Sequence, residues 1–267
     1  MSQKESKRSF SLIWKLARND FKTRYAGSYL GALWAMVQPV VTVLMYYIVF
    51  DKIFKTRAAA IAGGIEIPYV LFLTAGLVPW FYFSEGLSNG ANALVQYSYL
   101  VKKVVFKIDI LPVIKVVAAS FIHIFFLFVL LVIAAIYGYY PNLYTIQLLY
   151  YSFCMFALLI ACSYFTSAIV VFFRDLNQII SIFLQIGMWA TPILWNIASI
   201  PPKWQIAMKI INPVAYIVLG YRATICENKG FWTEPLYTAY FWAVVALLFL
   251  IGRAVFKKLK VHFADVL

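Results

Sequence analysis

Long unbroken apolar runs, divided by short charged or polar stretches, set the pattern of this 267-residue chain. Six runs stand out: Leu30 to Phe50, Ile67 to Leu87, Val113 to Tyr137, Leu143 to Phe173, Leu176 to Ile197 and Leu236 to Phe256. Each holds the roughly 20 residues needed to cross a hydrocarbon layer of about 30 Å. None alternates apolar with polar positions, and in hydrocarbon every backbone N–H and C=O must be paired within the segment, so the runs read as helices and not as barrel strands. The expectation is an all-α membrane protein of six transmembrane helices.

Three segments that do not span carry their own patterns. Before the first run, in residues 1–28, Phe10, Ile13, Trp14, Ala17 and Phe21 share one side of a helical wheel, and Arg8, Lys15, Arg18 and Lys22 share another. That is an amphipathic helix for the headgroup plane, serving either as a plain anchor or also as a frame for a partner. Small residues at Ala26, Gly27 and Ser28 would let the chain turn from there into the membrane. The connection from Ser88 to Leu111 opens with an Asn-rich stretch suited to starting a short helix through Leu94, Val95 and Tyr97. It is apolar enough to need a surface, either its own membrane face or a docked subunit. From Ala198 to Pro235, Pro201-Pro202 opens a helix through Trp204 to Ile211, Asn212-Pro213 breaks it, and Val214 to Ile225 is too short to span. Two short helices there would form a gate or lie passively in the interface.

Charge gives the orientation. With the N-terminus inside, the inner connections and tails hold 16 of the 23 Lys and Arg, from Lys4 through Lys102 and Arg174 to Lys260. The other seven, which include Lys52, Lys209 and Arg222, fall outside, so the positive-inside bias places both termini in the cytoplasm. The net charge of +13 is thereby accounted for by anionic headgroups, and nucleic-acid binding is excluded as a function class. Composition agrees, with 64% hydrophobic and 12% charged residues where soluble domains have about 45–50% and 25%. Cys154 and Cys162 lie about 12 Å apart by helical rise, too far for a disulfide, and Cys226 stands alone. No zinc-ligand spacing occurs, and the first long run lacks the marks of a cleavable signal peptide.

Candidate chemistry is sparse. Few ionisable residues fall within spans, Glu85, Lys115 and His123 among them, which argues against an ion-coupled carrier. Arg174 and Asp175 occupy a very short turn after Phe172-Phe173, where the two charges pair or Asp175 caps the next helix. Aromatic residues make up 19% of the chain. Many belong to the interfacial belt, but clusters such as Tyr46-Tyr47 and Trp80-Phe81-Tyr82-Phe83 also suit a sugar pathway, so Trp34, Tyr46, Trp80, Phe81, Tyr82 and Trp189 are candidate wall residues.

Several tracts together resemble a known family. They are Arg24-Tyr25 with Trp34 and Pro39, Gly76-Leu77-Val78-Pro79-Trp80-Phe81, Leu100-Val101-Lys102-Lys103-Val104-Val105-Phe106, and Leu111-Pro112. Further along come Phe172-Phe173-Arg174-Asp175-Leu176, Thr191-Pro192-Ile193-Leu194, Asn212-Pro213 and Tyr221-Arg222. In order and spacing these are similar to the ABC-2-type permeases that export O-antigen, capsule and teichoic-acid glycans, over nearly the whole chain. One departure is Lys107, where family members commonly have proline.

The resemblance implies a single transmembrane domain over 1–267, with a cytoplasmic amphipathic segment at 1–28, the six-span region at 30–256 and a cytoplasmic tail at 257–267. It implies a homodimer in the bacterial cytoplasmic membrane with a channel for a lipid-linked glycan, driven by two copies of a separate ATPase that binds ATP and Mg. This chain has no phosphate-binding loop, so it cannot supply ATP hydrolysis alone; the resemblance implies a permease subunit that is not itself an enzyme, with no cofactor or metal of its own. The ATPase would dock on Trp14, Arg18, Leu94, Tyr97, Leu100, Lys102 and Lys103, and Pro192, Pro201, Trp204, Asn212 and Pro213 would form the outer gate. The other function classes are a membrane-embedded transferase acting on lipid-linked sugar, for which no carboxylate–histidine constellation is evident, and a scaffold without transport.

Overall fold

A computed structural model of the chain describes residues 3–24, 31–54, 67–102 and 107–267. Every regular element among them is helical. Helix α1, Gln3–Arg24, is the amphipathic segment: Ala17 is buried, while Lys15, Arg18 and Lys22 stay exposed. Helix α2, Trp34–Tyr46, passes into a π-helical turn over Tyr47–Ile53. Then come α3 (Tyr69–Ala91), the short helices α4 (Ala93–Gln96) and α5 (Ser98–Val101), and α6 (Leu111–Ile136). Helices α7 (Gln147–Val170) and α8 (Leu176–Ala190) follow, then the short α9 (Pro202–Ile211) and α10 (Pro213–Arg222), α11 (Pro235–Leu259) and a terminal turn α12 (Phe263–Val266).

Four helical stretches are long and apolar enough to cross a membrane: Tyr69–Ala91, Ile108–Ile136, Leu143–Val170 and Pro235–Val266. Two more, Trp34–Phe50 and Leu176–Ala190, are apolar but shorter. At 15 residues α8 rises about 22 Å, less than the hydrocarbon thickness. Burial shows which helix is central. The most apolar part of α3 is 83% buried against 22% for the last stretch, so α3 is the axis of the four long helices and α11 the most exposed of them, packed on α7.

Prolines and caps explain several boundaries. α6, α9, α10 and α11 each begin with proline in the first turn, where its missing N–H costs nothing. Asn142 starts the turn into α7 through a capping box: its side chain accepts from the Tyr144 N–H at 2.9 Å, while its own N–H donates to Thr145 Oγ1 at 2.9 Å.

Some expectations are corrected. Ser88 to Ala91 are not loop but the last turn of α3, which packs Gly90 against Ser163 of α7, and the chain bends only at Asn92. The fifth apolar run ends as helix at Ala190, not Ile197, because Thr191 is extended ahead of Pro192. Asp175 does not cap α8, since its backbone is already helical and its side chain accepts no cap bond. Arg174 and Asp175 lie exposed in the turn between α7 and α8, and no ion pair joins them among the described residues. Phe10's side chain, Lys103 and the Ala26 to Ser28 turn lie outside the described residues.

Candidate functional site

Two clusters draw the distinctive residues together, one at each end of the bundle. The first lies at the end carrying both termini, where α1, α4, α5, α6, α7 and α12 share a buried core of Ala17, Leu94, Val101, Leu111, Tyr164 and Phe263. Asp20 of α1 is its polar centre. It accepts from Tyr97 Oη at 2.7 Å, from Lys115 Nζ of α6 and from Arg24 Nη2 at 3.1 Å. Arg24 also reaches Glu85 of α3 at 2.7 Å. Two carboxylates thus face two cations, and Lys115 lies over the Tyr97 ring at 4.7 Å.

Burial alone would raise the Asp20 carboxyl, but the hydrogen bond and charge of Lys115, then the Tyr97 hydroxyl and Arg24, outweigh it and leave the group below its usual value. Tyr97 is pushed up, first by burial and then by its bond to Asp20, so it remains a donor. One α1 side chain therefore ties together the amphipathic helix, the connection between α3 and α6, and the start of α6. A second tie, a reciprocal amide pair at 3.0 Å in each direction, joins Asn92 after α3 to Asn177 in the first turn of α8.

The opposite end is built on Arg222, the last residue of α10 and 3% exposed. Its guanidinium donates to the carbonyls of Phe72 at 3.1 Å, Ile193 at 2.5 Å and Pro192, and stacks 3.5 Å above the Phe72 ring. Gly76 makes this possible, because a Cβ there would sit 2.9 Å from Arg222 Nη2 and 3.3 Å from Ile193 Cγ2. Tyr69 Oη donates to the Leu194 carbonyl at 2.8 Å, and Asn212 Nδ2 to Thr191 Oγ1 at 2.8 Å. Tyr221 contacts Ser152 at 2.8 Å and His123 at 3.1 Å. Tracts that are scattered in sequence, Gly76 to Phe81, Thr191 to Leu194, Asn212-Pro213 and Tyr221-Arg222, thus meet around one buried cation.

A family model described as ABC-2 type transporter matches residues 11–226. The chain belongs to the ABC-2 type transporter family. The match starts in α1 and ends at Cys226, so it takes in Asp20 with its bonded partners and the Arg222 cluster, but not Phe263. Among relatives of this ABC-2 chain, an O-antigen export system permease protein RfbA of Klebsiella pneumoniae is 28% identical over 262 residues, covering 97% of this chain and 95% of that protein. One of the same name from Myxococcus xanthus is 28% identical over 255 residues, covering 95% and 94%. The chain is an integral membrane permease, not an enzyme in itself, and membership of the family implies an ABC ATPase as partner.

The candidate wall residues of this permease are not gathered into one surface. Trp80 lines an apolar cavity of about 960 Å³ between α3, α7, α8, α9 and α11. Tyr82 faces the core, bonded to Ser120 at 2.7 Å and stacked on His123 at 4.4 Å. Phe81 packs on Phe126 and Tyr46 on Phe50, while Trp34 and Trp189 are 51% and 61% exposed. Of the candidate docking residues, Leu94 is fully buried and Tyr97 is held by Asp20, whereas Arg18 and Lys102 are exposed. Trp14 is half-exposed with its edge against Phe121, and Leu100 is partly buried. Pro192 is buried, Pro201 and Trp204 are exposed, and Asn212 and Pro213 are partly buried.

Asp20 and Arg222 escaped the sequence reading as site residues. Asp20 is one of two acids, with Glu5, on a basic helix, and Arg222 reads as one of seven outer cations. The available signal for Arg222 was its place beside Tyr221 at the end of a short apolar run.

Proposed function

We propose that this chain is the permease subunit of an ABC exporter that moves a lipid-linked polysaccharide of the O-antigen or teichoic-acid kind across the bacterial cytoplasmic membrane. In this reading α2, with its π turn, and α8 also span, giving six crossings with both termini cytoplasmic. Two copies form a channel at their interface, and two copies of a separate ATPase bind ATP and Mg and supply the work. That the relatives are O-antigen export system permeases matched over nearly their full length supports the cargo.

The observation that carries the mechanism is the Asp20 cluster. A push on α1 or on the exposed parts of α5 reaches α3 and α6 through ion pairs and buried side chains, without a flexible link. ATP-driven approach of the two motor subunits would then tilt the helix bundle as a unit and open the path between the permease copies. The α9–α10 segment guards the outer mouth.

Deletion of the gene tests the reading: lipid-linked polymer should accumulate on the cytoplasmic side. Loss of the polymer altogether would point to synthesis instead of export. In the purified complex Asp20→Asn should leave ATP hydrolysis in place while reducing glycan export, and equal loss of both would count against a transmission role.

A further inference from the structure

At the end of the bundle away from the termini, between α9, α10 and the turn leading into α11, lies a pocket of about 260 Å³. Its chemistry departs from the apolar surroundings. Lys209, Glu227, Lys229 and Glu234 stand around it, with Tyr216, Phe231 and Tyr237 among the walls and Arg222 at its base. Lys209 pairs with Glu234 at 2.8 Å while lying 4.9 Å above the Tyr237 ring, and Lys229 pairs with Glu227 at 2.6 Å.

The wall is held in shape from behind. Gln147 Nε2 donates to the Lys229 carbonyl at 3.3 Å, and its Oε1 accepts from the Phe231 N–H at 2.7 Å. Asn228, with φ of +51°, takes a hydrogen bond from Asn142 at 2.6 Å.

Hydrogen-bonding capacity is left over here. Three N–H groups of Arg222 go to backbone carbonyls, out of the five a guanidinium carries. The Tyr237 hydroxyl is buried with no hydrogen-bond partner among the described residues, an arrangement that costs stability until something supplies one. Carboxylates that accept, ammonium and guanidinium groups that donate, and several rings within one small volume match a ligand whose hydroxyls do both and whose ring C–H face is apolar. A lipid tail does not fit walls this charged. The volume is just under the roughly 300–1,000 Å³ of typical small-molecule sites, enough for one sugar ring and too small for an oligosaccharide.

We propose that this pocket binds a single sugar residue of the exported glycan on the outer side of the membrane, holding the emerging chain against backward slippage between ATP cycles. The assignment rests on the export reading for its choice of ligand.

The test uses the full chain with its ATPase partner in lipid nanodiscs and saturation-transfer NMR. The probes are the monosaccharides released by acid hydrolysis of the host's own surface polymer. Transfer to the ring protons of at least one of them is expected. Tyr237→Phe and Glu234→Gln should each weaken that binding by about threefold to tenfold, the effect of one lost hydrogen bond. Leu247→Ala, on the exposed face of α11, should leave it unchanged. Co-purification with the ATPase checks that each variant is folded.

No transfer with any sugar, or transfer that neither pocket variant alters, overturns the assignment. If transfer is absent while gene deletion still traps lipid-linked polymer inside, the pocket falls and the export reading stands. If transfer is seen and the pocket variants weaken it, but no polymer is trapped, the pocket stands and the export reading falls.

Discussion

Asp20 gathers three donors on one carboxylate, because it is the shared acceptor for Tyr97, Lys115 and Arg24. Its folded-state pKa lies below the ordinary 3.8, so its contribution is fully present above that value and is lost only as pH falls through the lower, folded one. Thermal stability of the purified permease is therefore expected to show no step from Asp20 between pH 5 and 8 and to weaken below about 3.8; a midpoint near neutrality would contradict the pairing. Replacing the acid leaves Lys115 buried without its partner, a change that costs about 3–5 kcal/mol in comparable buried pairs. Gly76 makes the corresponding prediction at the other end. Gly76→Ala pushes a methyl into a guanidinium locked by three carbonyls, and overpacking of about 1–3 kcal/mol should lower the melting temperature in detergent. Neither residue could be singled out from sequence, because what matters is the meeting of side chains far apart in the chain: Asp20 with Lys115, 95 positions on, and Arg222 with Phe72, 150 positions back.

The two short helices that the sequence pairs as a gate differ sharply as elements. Helix α9 has no buried residue, whereas α10 buries Val214 through Val218 together with Gly220, Tyr221 and Arg222. Besides the Arg222 cluster, Tyr216 bonds to Tyr150 at 3.1 Å and to Thr238 at 2.9 Å, which fastens α10 to α7 and α11. If one of the pair moves, it is α9. Amide hydrogen exchange followed by mass spectrometry should show Pro202–Ile211 exchanging well ahead of Pro213–Arg222, and equal rates would remove the distinction. Helical type and the long apolar runs were legible because hydrocarbon length and backbone pairing constrain them so tightly. Element ends were less so. Ser88-Asn89-Gly90 has the composition of a loop, yet it stays helical because α7 packs closely against it, a tertiary effect that overrides local propensity.

Across the whole molecule, the end carrying the termini is closed by aromatic packing as much as by charge. Phe263 is fully buried, with its ring 5.3 Å from Phe256 and 6.0 Å from Phe172, so the last turn of the chain braces the turn between α7 and α8. Phe263→Ala should cost about 3–5 kcal/mol, read as a lower melting temperature of the permease. The proposed orientation has an equally direct check. A cysteine introduced at exposed Arg174 should react with an impermeant maleimide only after the cells are opened, and one at exposed Trp232 should react in intact spheroplasts. Labelling in the reverse sense would invert the topology. Nothing in the sequence pattern signalled that the C-terminal tail would be part of the packed base.

The bond from Arg222 to the Phe72 carbonyl also has a meaning in time. Ribosomes add about 5–20 residues per second, so the Phe72 carbonyl waits roughly 8–30 seconds after its own synthesis for the Arg222 side chain. Throughout that interval Gly76 and the backbone around it face an unfilled gap in the lipid phase. Nascent chains stalled before residue 222 should accordingly be prime substrates for membrane quality-control proteases, and chains stalled shortly after it should survive.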